Sequence, residues 1–533
     1  MSEPHETEFK LRATQTIEIA SLDATLRELG VGMTGHETQT HVDTYYDDAA
    51  QTLARANVGL RLRRNRGQDI ATCKLGGSQS HGRFAREEYE AVLPPDTTVA
   101  TAADLPMAVR DVVEPFVVRR KLLPGLQLTT SREVRRLTSD GRELCELAFD
   151  RVVARRDGRE VAFAELELEV IDDVAGTERL ADALRQRLPV LPAEDDKPHC
   201  AARLLGVPLP TAPGWQLSAD QALGDVLPHL LAAQLDVMRR AEVEVRLGRG
   251  ATALHTMRVA VRRLRTLVRT FRSLWPEPAA EWQQTLAATG HELGLRRDAD
   301  VAQALVVAGA QHLPAALQEP ARDAVAALGR QQAAADARLQ QWLRSDARLD
   351  ALDAFTSAAT AAASAVHEQA ADLATAPPPT NRQPLGIALA PYFRKAIATV
   401  RELAGALPPD LPIAEVHALR LGCKRMRYLA EAFAELPGHD YGRSLVRLAA
   451  LQQGLGLLCD QERAVDTLLG TIAAATEPLP APVAAAFGAL AMRHQAAARK
   501  ARKAASRLLE RTDRKKVWRR FPGGEEDDAN LAS

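Results

Sequence analysis

Cysteine is scarce and scattered. The five residues, Cys73, Cys145, Cys200, Cys423 and Cys459, form no Cys-x-x-Cys pair. That spacing offers neither a zinc site nor a disulfide framework, and it suits a reducing cytoplasm. Aromatic side chains make up only 4% of the chain, too few for a surface that reads nucleic acid by stacking bases. No run of about eighteen apolar residues occurs, so no membrane-spanning helix is expected. The opening MSEPHETEFK is charged and has no apolar h-region, so no secretory signal is expected either. No sign of charge dominates: 68 basic and 69 acidic residues leave a net charge of −1. Any charged site must therefore come from local segregation rather than from overall charge.

What is present divides into two halves. A length of 533 residues exceeds one hydrophobic core and predicts two or three domains. Residues 1–206 are β-rich. A short helix is expected over Ser21–Leu29. Eight strand-like runs are read at Glu6–Lys10, His41–Tyr46, Val58–Arg63, Ile70–Leu75, Arg86–Val92, Leu126–Arg136, Glu143–Asp150 and Val161–Ile171. Turn signals separate them, among them Asn65-Arg66-Gly67, Gly76-Gly77 and Asp157-Gly158. This number of short strands points to an antiparallel barrel.

Side chains on a strand alternate faces, and the charges follow that period. Glu6, Glu8 and Lys10 share a face. So do Arg61 and Arg63, Thr72 and Lys74, and Arg86, Glu88 and Glu90. The same holds for Thr130 and Arg132, for Glu146 and Asp150, and for Glu165, Glu167 and Glu169. Leucine, valine or phenylalanine occupies most of the alternate positions. In bulk water, in-line carboxylates only repel, and surfaces usually intersperse signs. Around a divalent ion they are hard oxygen ligands suited to Mg2+ or Mn2+. Arginine and lysine in the same parity would grip phosphate oxygens, guanidinium forks doing so bidentately. The expectation is a tunnel with charges inside and an apolar exterior.

The opening Glu-x-Glu-x-Lys, the Leu60-Arg61-Leu62-Arg63 run, Thr72-Cys73-Lys74 and Glu165–Val170 (ELELEV) together resemble the CYTH family of triphosphate tunnel enzymes over roughly residues 4–206. The resemblance implies an eight-stranded antiparallel tunnel that hydrolyses the terminal phosphoryl group of a triphosphate with Mg2+ or Mn2+. Carried over by motif, the metal ligands are Glu6, Glu8, Asp150, Glu165 and Glu167. The phosphate-binding set is Lys10, Arg61, Arg63, Lys74, Arg86 and Arg132, and Glu6, Glu8, Lys10 and Arg63 form the catalytic group. Glu88 and Glu146 are expected to line the tunnel. The family's Ser-Lys pair before the closing Arg203 reads His199-Cys200 here, which leaves Lys197 as the nearest base for the phosphate.

Residues 207–217 are proline-rich and predict a stiff linker. From Ser218 to Arg511 the chain reads as helices, with an internal repeat. His255-x-x-Arg258-x-x-x-Arg262-Arg263-x-Arg265 is echoed by His417-x-x-Arg420-x-x-x-Lys424-Arg425-x-Arg427, an offset of 162 (417 − 255). Leu293-Gly294-x-x-Arg297-Asp298 is echoed at the same offset by Leu455-Gly456-x-x-Cys459-Asp460. The repeats are expected over about 218–375 and 385–511. At about 100° per residue, each set of four cations falls within about 80° of one helix face. Stacked like charges oppose a helix unless an anion offsets them. These repeats resemble the CHAD family, whose association implies inorganic polyphosphate binding along the basic face. The tail, 512–533, is basic and then acidic (Glu525–Asp528) and is expected to be disordered.

The resulting fold class is α+β in two domains: an eight-stranded antiparallel tunnel, then an all-α duplicated bundle. The expected partners are inorganic triphosphate and polyphosphate, with no membrane and no specific nucleic acid, and the expected location is cytoplasmic, with association to polyphosphate granules. Two alternatives stay open from sequence: a catalytically idle polyphosphate-binding protein, and the same tunnel acting on thiamine triphosphate or nucleoside triphosphates.

Overall fold

The computed structural model describes residues 5–512 except 66–67, 95–96, 140, 208–215, 275–278, 369–381, 437–440 and 474–478, together with Trp518, Phe521 and Pro522. Its contacts divide into two units, Met1–Gly214 and Trp215–Ser533. The proline-rich linker expected at 207–217 lies largely outside the described residues.

The first unit begins with β1 (His5–Ala13), α1 (Ile19–Glu28), β2 (Gly32–Asp47), α2 (Thr52–Arg55), β3 (Val58–Asn65), β4 (Gln68–Ser80) and β5 (Arg83–Leu93). It continues with α3 (Met107–Val117), β6 (Leu123–Ser139), β7 (Arg142–Arg156), β8 (Arg159–Val170), α4 (Val174–Arg187), β9 (Val190–Pro192) and α5 (Lys197–Leu204). The sheet order is β5-β4-β3-β2-β6-β7-β8-β1, with β9 appended to β1, and β5 also pairs with β1. That last pairing closes eight antiparallel strands into a ring. Each of the eight sequence-read strands forms one member of it.

The apolar rows face outward. Phe9 and Leu11 of β1, Leu147 and Phe149 of β7, and Leu166 and Leu168 of β8 form one buried cluster with Leu22 and Leu26 of α1 and Leu180 and Leu184 of α4. Burial of such side chains stabilises the fold by about 1.5–3 kcal/mol each, which fixes the register and leaves the charged rows inward. Gly76-Gly77, read as a turn, is instead a bulge inside β4, where the register slips between Leu75 and Ser78. The reversal comes at His81-Gly82, both with positive φ. A Cβ on Gly77 would meet the carbonyl oxygen of Ala85, so glycine lets β4 pass this close to β5.

The second unit is helical: α6 (Leu223–Arg246), α7 (Gly250–Thr270), α8 (Ala279–Ala310), α9 (Ala315–Leu343), α10 (Asp346–Glu368), α11 (Leu385–Ala388), α12 (Ala390–Gly405), α13 (Ile413–Ala432), α14 (Gly442–Ala473) and α15 (Ala481–Thr512). Helices α7 and α8 recur as α13 and α14. Helix α7 packs on α13, so the duplicated helices meet across the repeat. In the buried interior Glu242 is held by Arg246, at 2.9 Å, and by Arg348. No helix among the described residues is long and apolar enough to cross a membrane.

Of the tail expected to be disordered, Trp518, Phe521 and Pro522 are among the described residues. Trp518 and Phe521 are buried, and the Phe521 ring stacks on Phe393 with centroids 5.8 Å apart. A buried aromatic carries a large apolar payload, and basic neighbours do not prevent it from docking. The acidic stretch Glu525–Asp528 lies outside the described residues.

Candidate functional site

Ring register stacks the inward rows in tiers. Glu8 of β1 stands opposite Glu169 of β8, which stands opposite Glu146 of β7. One step deeper the tier is Lys10, Glu167 and Ala148. The deepest tier is Arg12, Glu165, Asp150 and Arg132. The outer tier is acidic throughout, while Lys10, Arg12 and Arg132 stand beside the carboxylates of the two deeper tiers and offset the repulsion that in-line carboxylates alone would suffer.

Asp150, Glu165 and Glu167 each bring a carboxylate oxygen within 4.8 Å of the others, and Asp150 and Glu165 are fully buried. Lys197 Nζ lies 2.7 Å from Asp150, 2.7 Å from Glu167 and 3.1 Å from Glu165. Lys10 Nζ lies 2.5 Å from Glu167 and 2.9 Å from Glu8. Arg132 grips Asp150 with two bonds, at 2.8 and 2.7 Å, and also reaches Glu167. Burial alone would raise the pKa of Glu167, but Lys10, Lys197 and Arg132 outweigh it and hold the carboxyl well below the usual range. The same contest leaves Asp150 lowered, through Lys197 and Arg132. At Glu165 burial wins and the pKa rises. Burial would lower Lys10, yet its carboxylate partners push it well above the ordinary lysine value.

The donor set fits a divalent ion. Three carboxylates supply hard oxygens at close range. Neither oxygen of Glu165 accepts a well-oriented hydrogen bond among the described residues, although Arg12 stands 2.9 Å away. Buried acceptors of this kind are rare unless they have a further partner.

The facing wall is cationic with acidic struts. Asp43 of β2 binds Arg63 through two bonds, at 2.8 and 3.2 Å, and lies 3.7 Å from Arg61. Lys74 pairs with Glu88 at 2.8 Å. Arg86 pairs at 2.5 Å with Asp196, which caps α5 by accepting from the His199 backbone and ring. The cap ties α5 to β5 and points Lys197, the first residue of that helix, at the acidic triad. The cavity is about 1160 Å³ and is lined by Glu8, Lys10, Arg61, Arg63, Lys74, Arg86, Arg132, Glu146, Glu167 and Lys197, among others. A space of this size, with both signs of charge on its walls, can hold a small polyanion together with a cation.

A second charged feature lies on the helical unit. Burial, then the charges of Arg297, Arg262, Arg258 and Lys424, lower the pKa of His255. His417 is lowered by burial and by Arg463, Arg420, Lys424 and Arg262. The stripes of α7 and α13 thus sit within each other's field. Lys424 bears most of the strain: burial, with Arg420 and Arg262 beside it, brings its pKa down to about 7. Arg258 falls to about 10, chiefly by burial and the charge of Arg262. Helices α8 and α14 supply counter-charges, with Asp460 3.2 Å from Arg420 and Asp298 3.5 Å from Arg463.

Family comparison agrees with both geometries. The family described as CYTH domain matches residues 4–198, and the family described as CHAD domain matches 229–469. The chain joins a CYTH domain to a CHAD domain. Among solved structures it is similar to the CHAD domain of the plant Ricinus communis, at 26% identity, covering 56% of this chain and 95% of that one, with a TM-score of 0.46. It is also similar to PptA from Streptomyces chartreusis, at 23% identity, 54% and 100% coverage and a TM-score of 0.38. HpAC1 from Hippeastrum, named as an adenylyl cyclase with a dominant triphosphatase activity, matches at 22% identity, 38% and 98% coverage and a TM-score of 0.30. No curated protein matches the chain.

Most residues picked from sequence in the CYTH domain meet at one cavity. Glu8, Lys10, Arg61, Arg63, Lys74, Arg86, Arg132, Glu167 and Lys197 line it, and Asp150 and Glu165 lie beneath its floor. The side chain of Glu6 lies outside the described residues. In the CHAD domain, His255, Arg258, Arg262, His417, Arg420 and Lys424 converge. Arg265 stands exposed near Arg269 and Arg262. Arg427 turns toward Glu431 at 3.1 Å and over the Tyr428 ring. Sequence reasoning missed Arg12, His41, Asp43 and Asp196. Asp43 shares parity with His41 and Tyr45, a row too mixed to read as charged. Asp196 had a better signal, because an aspartate two residues before a proline is a helix-start pattern.

Proposed function

We propose that the CYTH domain hydrolyses inorganic triphosphate to pyrophosphate and phosphate with Mg2+ or Mn2+, and that the CHAD domain binds inorganic polyphosphate. The observation that carries the first half is the juxtaposition of both signs of charge on one wall. A cluster of buried carboxylates stands beside lysines and arginines at a cavity of about 1160 Å³. A site for anions alone gains nothing from the carboxylates, and a site for cations alone gains nothing from the cationic wall. A metal-bound polyphosphate uses both.

In this reading Asp150, Glu165 and Glu167, together with Glu6 and Glu8, hold the ion. When bound, it supplies positive charge to the phosphate oxygens as negative charge builds on them. Arg61, Arg63, Lys74, Arg86, Arg132 and Lys10 hold the phosphate chain and keep it aligned. Phosphoryl transfer needs positioning and charge neutralisation more than covalent help. Asp150 and Glu165 are fully buried and Glu167 nearly so, so contacts to them act at a lower effective dielectric than in solution.

The test is phosphate release by the full chain from inorganic triphosphate, thiamine triphosphate and ATP, each with Mg2+, Mn2+ and no added metal. The proposal expects the fastest turnover on inorganic triphosphate and none without metal. No release from any substrate would favour the catalytically idle reading. For the helical half, the convergence of two basic stripes supports a polyanion ligand, and association with polyphosphate granules would follow from it. Retention of long-chain polyphosphate by the full chain, lost at high salt, is the expected result.

A further inference from the structure

Gly294 of α8 and Gly456 of α14 sit inside long helices, where glycine is less favourable than alanine. Neither has a positive φ, so backbone geometry does not select glycine there. What stands over each is an arginine from the preceding helix of its own repeat. A Cβ on Gly456 would lie 3.2 Å from Arg420 Nη2, 3.3 Å from Nε and 3.5 Å from Cζ. Contact with three atoms of one planar group means that the guanidinium lies over the bare helix backbone. A Cβ on Gly294 would lie 3.4 Å from Arg258 Nη1.

The arrangement recurs at the repeat's own offset of 162, for the glycines (456 − 294), the arginines (420 − 258) and the aspartates four residues beyond each glycine (460 − 298). Asp460 pairs with Arg420, and the charge of Asp298 raises Arg258 against the cations around it. Two half-sites of the same construction thus flank the converged stripes.

We propose that Gly294 and Gly456 are positioning residues of the CHAD polyanion face: each leaves the space in which its arginine is seated, so that the guanidinium groups of Arg258 and Arg420 are both presented to one phosphate chain. This rests on the reading that the face binds polyphosphate. Guanidinium recognition of phosphate is directional and often bidentate. A methyl group at 3.2 Å moves Arg420 by a few tenths of an ångström and tilts its fork without removing its charge. Gly456→Ala therefore has a larger effect than Gly294→Ala, where the contact is already an ordinary van der Waals distance.

Binding of long-chain polyphosphate to the full chain tests this. Gly456→Ala is expected to weaken binding about tenfold, the scale of one charge-assisted hydrogen bond. Its melting midpoint should stay level or rise, because alanine favours the helix. Gly470→Ala, on the same helix with open space around its Cβ, should bind as the unaltered chain does. Unchanged binding by Gly456→Ala, or equal weakening by Gly470→Ala, overturns the positioning role. Failure of the unaltered chain to bind polyphosphate overturns both this inference and the reading beneath it.

Discussion

Lys197 Nζ lies 2.7 Å from Asp150 Oδ2, and the same ammonium also reaches Glu167 and Glu165. A side chain of α5 thereby neutralises the carboxylates best suited to a metal. Ammonium and divalent ion draw on the same oxygens. Lys197→Met should raise Mn2+ affinity, measured calorimetrically, and should lower metal-free stability by roughly 3 kcal/mol, as breaking a buried ion pair does. Weaker Mn2+ binding by the variant would show that Lys197 supports the ion rather than competing with it.

Glu167 touches Lys10, Lys197 and Arg132. Glu167→Gln keeps its shape but removes the charge that organises them. Turnover of inorganic triphosphate should fall by roughly two to three orders of magnitude, the scale of losing one preorganised electrostatic contact. Glu8→Gln should act in the same direction. Full activity in either variant would remove the tunnel from the chemistry.

His41 is buried 3.6 Å from Asp43, and burial together with the charge of Arg63 brings its pKa down to about 4. Between pH 6.5 and 4 the unfolded chain binds a proton that the folded chain refuses. Stability must therefore fall as the pH drops through that window, by roughly 3 kcal/mol in full, and level off below it. Urea midpoints at pH 7 and pH 4.5 should converge less for the wild type than for His41→Gln, which lacks this term: the variant loses less stability on acidification. An identical loss in both would place the acid sensitivity elsewhere.

Lys424 carries a pKa of about 7 because burial and its arginine neighbours penalise its charge. Its ammonium is present below that pH and is lost above it. Polyphosphate affinity should fall from pH 6 to pH 8, by up to about tenfold, and Lys424→Arg should flatten the profile. Charge reversal of both Arg262 and Lys424 should weaken binding further at every pH. Fluorescence titration with long-chain polyphosphate reads all three.

Phe521 fills a pocket made by Phe393 and Tyr441. Phe521→Ala should lower stability by about 3–5 kcal/mol, read from thermal unfolding. Removal of residues 513–533 should have a similar effect. A tail that merely dangled would give no change.

The ring was legible because the outward rows of β1, β7 and β8 are largely leucine, valine and phenylalanine, so a period of two survives clearly in those strands. Parity alone placed Lys10, Arg132 and Glu167 on inward faces. Parity could not align one strand with another, so the tier joining Arg12, Glu165 and Asp150 required the pairing of β1, β8 and β7. Asp43 was hidden because its row also holds a histidine and a tyrosine. In the helical half the spacing gave each stripe separately. That the stripes approach each other depends on α7 packing against α13, which no local period encodes. Nor does a helix-period pattern explain a glycine whose partner lies on another helix. Phe521 was obscured by the run of charges around it, since composition averages over the one residue that docks.

Closure of β5 onto β1 also governs which sequence changes the CYTH domain can absorb. An open sheet lets an inserted residue slide out at its margin. A ring has no margin, so one extra residue inside any of the eight strands inverts that strand's inside and outside unless a bulge absorbs it, as at Gly76-Gly77 in β4. Length variation is therefore confined to the connecting turns and to such bulges, and the tunnel's bore is inherited as a single unit.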